Sequence, residues 1–330
     1  LIKKIGILMV ILSIIVVAKN NDVFTKVKST IIDTESSNDI YTEPNLEEWI
    51  EIDNFQYIKI GDSKDDVISK IGEPSRIDTS EYDFKWYVYN QNIKKFAMVG
   101  IEDGFVVALY SNSINSCETE GINLNDSKAS VNNKYDSMEY RRKGNTRYII
   151  QSNGEYDIIK ENKKYITIFY DVIENSKVCS YQIINQKSED NMKEIYSRGS
   201  EELQKSFELE TIDLINSTRA KFNFNSLEYS DTATKSARKH SKDMLENNYF
   251  DHINKQDETP FDRMENEGVK YMSAGENIAS GQFNAIYAHE ALMNSKGHRK
   301  NILGEYKYIG VGIGFGGTYK IYYTENFLCR

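Results

Sequence analysis

The sequence predicts a mixed α+β fold in two units. Three observations carry this. A segment near the amino end recurs at an offset of 64 residues, and each copy is followed by short strand-like runs. The carboxyl-terminal part has apolar residues at helical spacing, and then a glycine-rich pair of strands. A chain of 330 residues is long enough for about two domains with separate cores.

At the amino end Lys3 and Lys4 precede an apolar or small run from Ile5 to Ala18. As a helix it spans roughly 21 Å, short of a bilayer core of about 30 Å. The run therefore predicts an apolar helix over residues 1–18. It is either a secretory signal cleaved after Val16-Val17-Ala18 or a short uncleaved anchor. Both readings bring this segment to the membrane and put the rest of the chain outside the cytoplasm, secreted or anchored by residues 2–18. No lipobox Cys follows it. Residues 19–52 are polar and read as a flexible spacer.

Residues 53–185 form the duplicated unit. Ile58, Asp62, Ser63, Lys64, Val67 and Lys70 recur as Ile122, Asp126, Ser127, Lys128, Val131 and Lys134. In each copy Asp-Ser-Lys suits a helix start, because Asp or Ser accepts from free backbone N–H groups there. Val67 and Ile71 share one helical face, and Gly72-Glu73-Pro74 ends the first helix. Strands are predicted at 84–89, 96–101 and 105–110, then at 148–150, 165–170 and 177–183. Each copy is thus a helix over a small antiparallel sheet. Trp86, Tyr87 and Tyr89 read as alternating sheet residues, with the inward ones filling the core. The charged stretch 186–204 is a linker with some helix.

In residues 205–330, Leu209, Ile212 and Ala220 mark one face of a first helix. A second is expected from about Ser230 to Asn247, with Ala233, Ala237, His240 and Met244 on its inner stripe. Pro260 opens a third at a first-turn position. Residues 285–293 form a short fourth. The strands 309–317 and 319–327 make a hairpin. Gly312-Ile-Gly-Phe-Gly-Gly317 matches G-x-G-x-x-G but has no helix behind it, so a dinucleotide site is rejected.

The net charge is −9, from 41 Lys+Arg against 50 Asp+Glu. An acidic chain without a basic block lacks the cations that displace phosphate counterions, which excludes nucleic acid as partner. A mean hydropathy of −0.58 excludes a polytopic membrane protein. Three Cys is an odd number, and no disulfide is assigned among Cys117, Cys179 and Cys329. All four histidines, His240, His252, His289 and His298, fall within 59 residues of the second unit. His240 reads as a packing residue and His289 as packing or solvated. His252, ending the turn Tyr249-Phe-Asp-His252, can point into a cleft. Glu276 stands among small and apolar residues in Ala274-Gly-Glu-Asn-Ile-Ala279.

These blocks resemble the CAP superfamily of cysteine-rich secretory, antigen 5 and pathogenesis-related proteins, in its bacterial SCP-like branch. The likeness rests on His240-Ser-Lys-Asp-Met244, Tyr249-Phe-Asp-His252, Gly275-Glu-Asn-Ile-Ala279, Met293-Asn-Ser-Lys-Gly-His-Arg299 with Asn301-Ile-Leu303, and Tyr323-Thr-Glu-Asn-Phe327. The first unit resembles the CAP-associated amino-terminal region of secreted or anchored proteins of spore-forming Gram-positive bacteria. The resemblance implies an α–β–α sandwich for residues 205–330 and a cleft holding His252, Glu276 and His298, a set suited to Zn²⁺ or another divalent cation. Asn277, Ser295 and Glu325 would line it. Animal and plant relatives often have a second cleft Glu where this chain has Ser295, and the closing motif usually has Gln where this chain has Glu325. The implied function is a non-enzymatic binding module of the cell envelope, with an envelope protein, peptide, glycan or lipid as ligand and a sporulation or envelope role. A cation-dependent peptidase and a lipid or small-molecule carrier are the alternatives.

Overall fold

The computed structural model describes residues 3–6, 10–16, 57–113 and 120–330, the first two stretches as backbone only. The spacer expected over 19–52 and Cys117 lie outside them. No helix among the described residues is long and apolar enough to cross a membrane.

The amino-terminal stretches are strands, β1 (Lys3–Gly6) and β2 (Val10–Val16), which corrects the helix expected there. The reason is local and tertiary together. Five of the seven residues of Val-Ile-Leu-Ser-Ile-Ile-Val are β-branched and favour extended backbone, and an open sheet edge is available to receive them.

The duplicated unit starts with α1 (Lys64–Ile71). Ser63 caps it in a capping box with Asp66, and Gly72 ends it at φ 83°. Then come β3 (Arg76–Thr79), β4 (Lys85–Tyr89), β5 (Ala97–Glu102) and β6 (Phe105–Ser111). The second copy opens with α2 (Lys128–Asn132), capped by Ser127. It continues through β7 (Tyr140–Lys143), β8 (Thr146–Ile149), β9 (Tyr156–Glu161), β10 (Lys164–Asp171) and β11 (Lys177–Asn185). The two copies join in one seven-stranded sheet, β3-β4-β5-β6-β11-β10-β9, with β6 and β11 at the seam. The copies correspond in detail: Ser63 bridges to Phe105, and Ser127 bridges to Lys177. The strand expected at 148–150 instead pairs with β7 and β1 in a separate small sheet, and β9 takes its place.

One face of the seven-stranded sheet packs Val99, Leu109, Ile166 and Ile168 under Val67 of α1 and Val131 of α2. The other face, with Phe84, Trp86, Met98 and Phe169, is covered by the second unit. Trp86 is fully buried there, as expected.

The remaining elements are α3 (Gln186–Asn191), α4 (Glu201–Lys221), β12 (Glu228–Tyr229), α5 (Asp231–Glu246), α6 (Pro260–Asn266), β13 (Ser273–Ser280), α7 (Ala285–Met293), α8 (Lys296–Ile302), β14 (Tyr308–Gly316) and β15 (Lys320–Cys329). Their sheet runs β12-β14-β15-β13-β2. Ile309, Val311 and Ile313 face a core with Leu214 of α4 and Leu292 of α7. Gly310 and Gly312 face the other way, where α5 lies so close that an added Cβ would fall 2.2 Å from Thr234 N and 2.1 Å from Arg238 N. Helices on both faces make this an α–β–α sandwich. The glycine run serves helix–sheet contact.

The two units share one core. Tyr287 of α7 stands edge-on to Tyr156 and Phe169 of the first unit, with ring centroids at 5.1 and 5.0 Å. Arg76 Nη2 donates to Asp213 at 2.7 Å, Tyr110 Oη donates to Glu290 at 2.8 Å, and Arg299 Nη1 donates to Asp171 at 2.8 Å.

Candidate functional site

Glu276 occupies the middle of β13 and is 1 % exposed. Such a carboxylate persists only with partners, and two side chains supply them through three hydrogen bonds. His252 Nδ1 lies 2.8 Å from Oε1, so it is the protonated nitrogen. Arg263 Nη2 donates to Oε1 at 3.0 Å and to Oε2 at 2.7 Å. Arg263 Nη1 also donates to the carbonyls of His252, at 2.6 Å, and Glu258, at 3.0 Å. The arginine thus fixes the 252–258 loop and the carboxylate together. It comes from α6, placed by Pro260 in the first turn and a Thr259–Asp262 capping box. Burial alone would raise the Glu276 carboxyl. The Arg263 charge and the neighbouring histidines outweigh that and hold it at about 2.

Successive residues of a strand point to opposite faces. Asn277 accordingly looks toward α8. Its Nδ2 donates to Glu325 at 3.0 Å and to the His298 carbonyl at 3.3 Å, while its Oδ1 accepts from Asn301 at 2.9 Å. Gly275 is required for this approach, since a Cβ there would fall 2.9 Å from Asn301 Oδ1. Ser295 precedes α8 but makes no cap with its side chain; its hydroxyl lies 2.6 Å from His298 Nδ1. Ser295 therefore holds His298. Glu325 sits on β15 opposite Asn277. Burial pushes its carboxyl up to about 7, and only the Asn277 hydrogen bond opposes this.

The six residues thus fall on two walls, one on each face of the sheet at β13, with Glu325 reaching Asn277 from β15. His252 and Glu276 belong to the α5–α6 wall; His298, Asn277, Ser295 and Glu325 belong to the α8 wall. Arg263 is the functional residue the sequence did not reveal: a lone arginine in a short helix has no spacing to mark it. His240, on α5, stands near Glu276 and acts on its charge, whereas His289 lies elsewhere. His240 Nε2 is 3.0 Å from the Asp251 carbonyl, and burial lowers the ring to about 4. His289 Nε2 is 2.7 Å from Thr218 Oγ1, and burial lowers that ring to about 3. Both are packing residues.

The donor set fits a catalytic zinc ion poorly. Such sites use three protein ligands and an open position. Both oxygens of Glu276 are engaged, which leaves the two imidazoles. Among the described residues no three His, Cys, Asp or Glu side chains are gathered to hold a metal. His252 Nε2 is buried without a hydrogen-bond partner.

Residues 60–195 match the CAP-associated N-terminal family, and residues 212–327 match the cysteine-rich secretory protein family. A membrane protein of Bacillus subtilis strain 168, YlbC, is 30% identical over 293 residues, covering 82% of each chain. YkwD of the same organism is 42% identical over 123 residues, which are 37% of this chain and 47% of that protein. An extracellular protein with an SCP domain from Bacillus anthracis shares the fold at TM-score 0.69 and 23% identity, over 92% of this chain and all of that one. A cysteine-rich secretory protein of Staphylococcus aureus does so at TM-score 0.66 and 16% identity, over 82% of this chain and 91% of that one. The chain belongs to the cysteine-rich secretory protein (CAP) family, with a CAP-associated N-terminal domain ahead of the CAP domain.

Proposed function

We propose that this CAP protein is a non-enzymatic binding module on the outer side of the cell envelope. The carrying observation is the state of Glu276. A general base works best with a pKa near the operating pH and a lone pair aimed at the attacking water. Glu276 is held at about 2, with both oxygens committed to Arg263 and His252. It is better suited to fixing the cleft wall than to taking a proton. The apolar amino-terminal run and the membrane and extracellular relatives support the envelope location. A divalent cation in this cleft would draw on the two imidazoles, and a two-ligand site is weak.

Zinc titration of the full chain tests this, with His252→Ala and His298→Ala as controls and a quenched peptide library read in parallel. The expected result is weak binding, lost in either variant, and no cleavage. Zinc-dependent cleavage abolished by Glu276→Gln would overturn the proposal.

A further inference from the structure

The outer edge of β13 runs between the two walls of the cleft, and it is covered. Strand β2 pairs with it antiparallel over seven residues, from Ala274↔Val16 to Ser280↔Val10. Ile14 stands opposite Glu276 and Ser13 opposite Asn277. β2 also lies against α8, the helix of His298. The covering strand thus lies beside α8, and Ile14 stands opposite the carboxylate that holds His252. Its seven residues carry no charge. They belong to the run whose sequence reads as an export signal or anchor. A segment cleaved or inserted in a bilayer cannot also pair with β13. In the exported protein the edge would then be bare, with a row of unpaired backbone N–H and C=O groups.

We propose that the outer edge of β13 is a docking edge for an extended, uncharged, β-branched peptide, which adds as an antiparallel strand alongside Glu276 and Asn277. Val10–Val16 marks the position and chemistry of that peptide. Backbone hydrogen bonds to 274–280 supply the affinity, and the flanking walls select the side chains, as in strand addition generally. The inference rests on the binding-module reading of the same cleft and gives it a ligand class.

The test uses the full chain in detergent-free buffer, carrying Ser13→Pro and Ile14→Pro. Proline cannot donate to a strand ladder, so the edge opens while the core is untouched. The probe is a fluorescent synthetic peptide of the sequence Val-Ile-Leu-Ser-Ile-Ile-Val flanked by lysines. Far-UV circular dichroism and thermal unfolding verify that the variant is folded. It should bind the probe roughly tenfold or more tightly than the unaltered chain, whose tethered strand competes at high effective concentration. Amide exchange should slow along 274–280 when probe is added, and a probe with two central prolines should not bind. Absence of binding to the folded variant, protection elsewhere, or closure of the edge by a second copy seen as a dimer would each overturn the proposal. Cleavage of a bound probe would overturn the non-enzymatic reading and leave the docking edge standing, so the two fail separately.

Discussion

Arg263 and Glu276 form a buried pair in which each charge depends on the other. Glu276→Gln would leave the guanidinium buried without a counter-charge, at a cost of about 3 kcal/mol or more. The pair also sets an acid limit. The folded carboxyl is held at about 2, below its ordinary 4.5, so the stabilisation is complete above pH about 4.5 and is lost as pH falls toward 2. Denaturant unfolding of the wild type and Glu276→Gln from pH 7 to pH 2 should converge at the acid end; a constant gap would sink this account. Glu325 has the opposite sign. Its folded value of about 7 lies above the ordinary 4.5, so stability falls as pH rises through that interval. Glu325→Gln keeps the shape and removes the charge. It should be nearly neutral at pH 4.5 and stabilising by about 1–3 kcal/mol at pH 8. Equal melting-temperature shifts at both pH values would refute it.

Among the elements, α5 against β14 depends most on side-chain absence. Gly312 leaves room for the backbone at Ala237 and Arg238, whose atoms would stand 2.1–2.5 Å from any Cβ. Gly312→Ala therefore forces α5 off the sheet and should cost at least about 3 kcal/mol, read as a lowered urea midpoint. A loss under 1 kcal/mol would mean that the contact is slack. Much at this scale was legible in sequence, because its causes are local. Ser63 and Gly72 bracket α1, and α7 has the bounds its pattern predicts. What was hidden was set by distant partners. β9 carries Asp157, Lys160 and Glu161 among its six residues and becomes a strand by pairing with β10. Gly275 to Ala279 reads as a motif, yet its placement in a strand between β15 and β2, with a different wall on each face, comes from distant partners. The amino-terminal run is helix-compatible by hydropathy, and pairing with β13 makes it a strand.

At the scale of the whole molecule, the two family segments are one folded body. The aromatic face of the seven-stranded sheet packs into a core shared with α4 and α7 of the CAP domain. Tyr287 is the central contact. Its ring meets Tyr156, Phe169 and Phe283, and its hydroxyl lies 2.9 Å from Thr167 Oγ1. Unfolding should be a single transition, with tryptophan fluorescence and far-UV dichroism coincident. Tyr287→Ala should lower stability by about 3–5 kcal/mol by both probes together. Two separated transitions in the wild type would show that the bodies are independent. The sequence predicted two domains because length and repeat count units, whereas only packing shows which faces each unit leaves open.

The seam between β6 and β11 has a practical corollary. Each half of the repeat contributes its last strand to the other half's flank, so neither copy owns a closed boundary. A protease nick or a truncation between residues 111 and 120 would not release a small stable fragment. It would bare two long central strands, and the pieces would reassociate or precipitate.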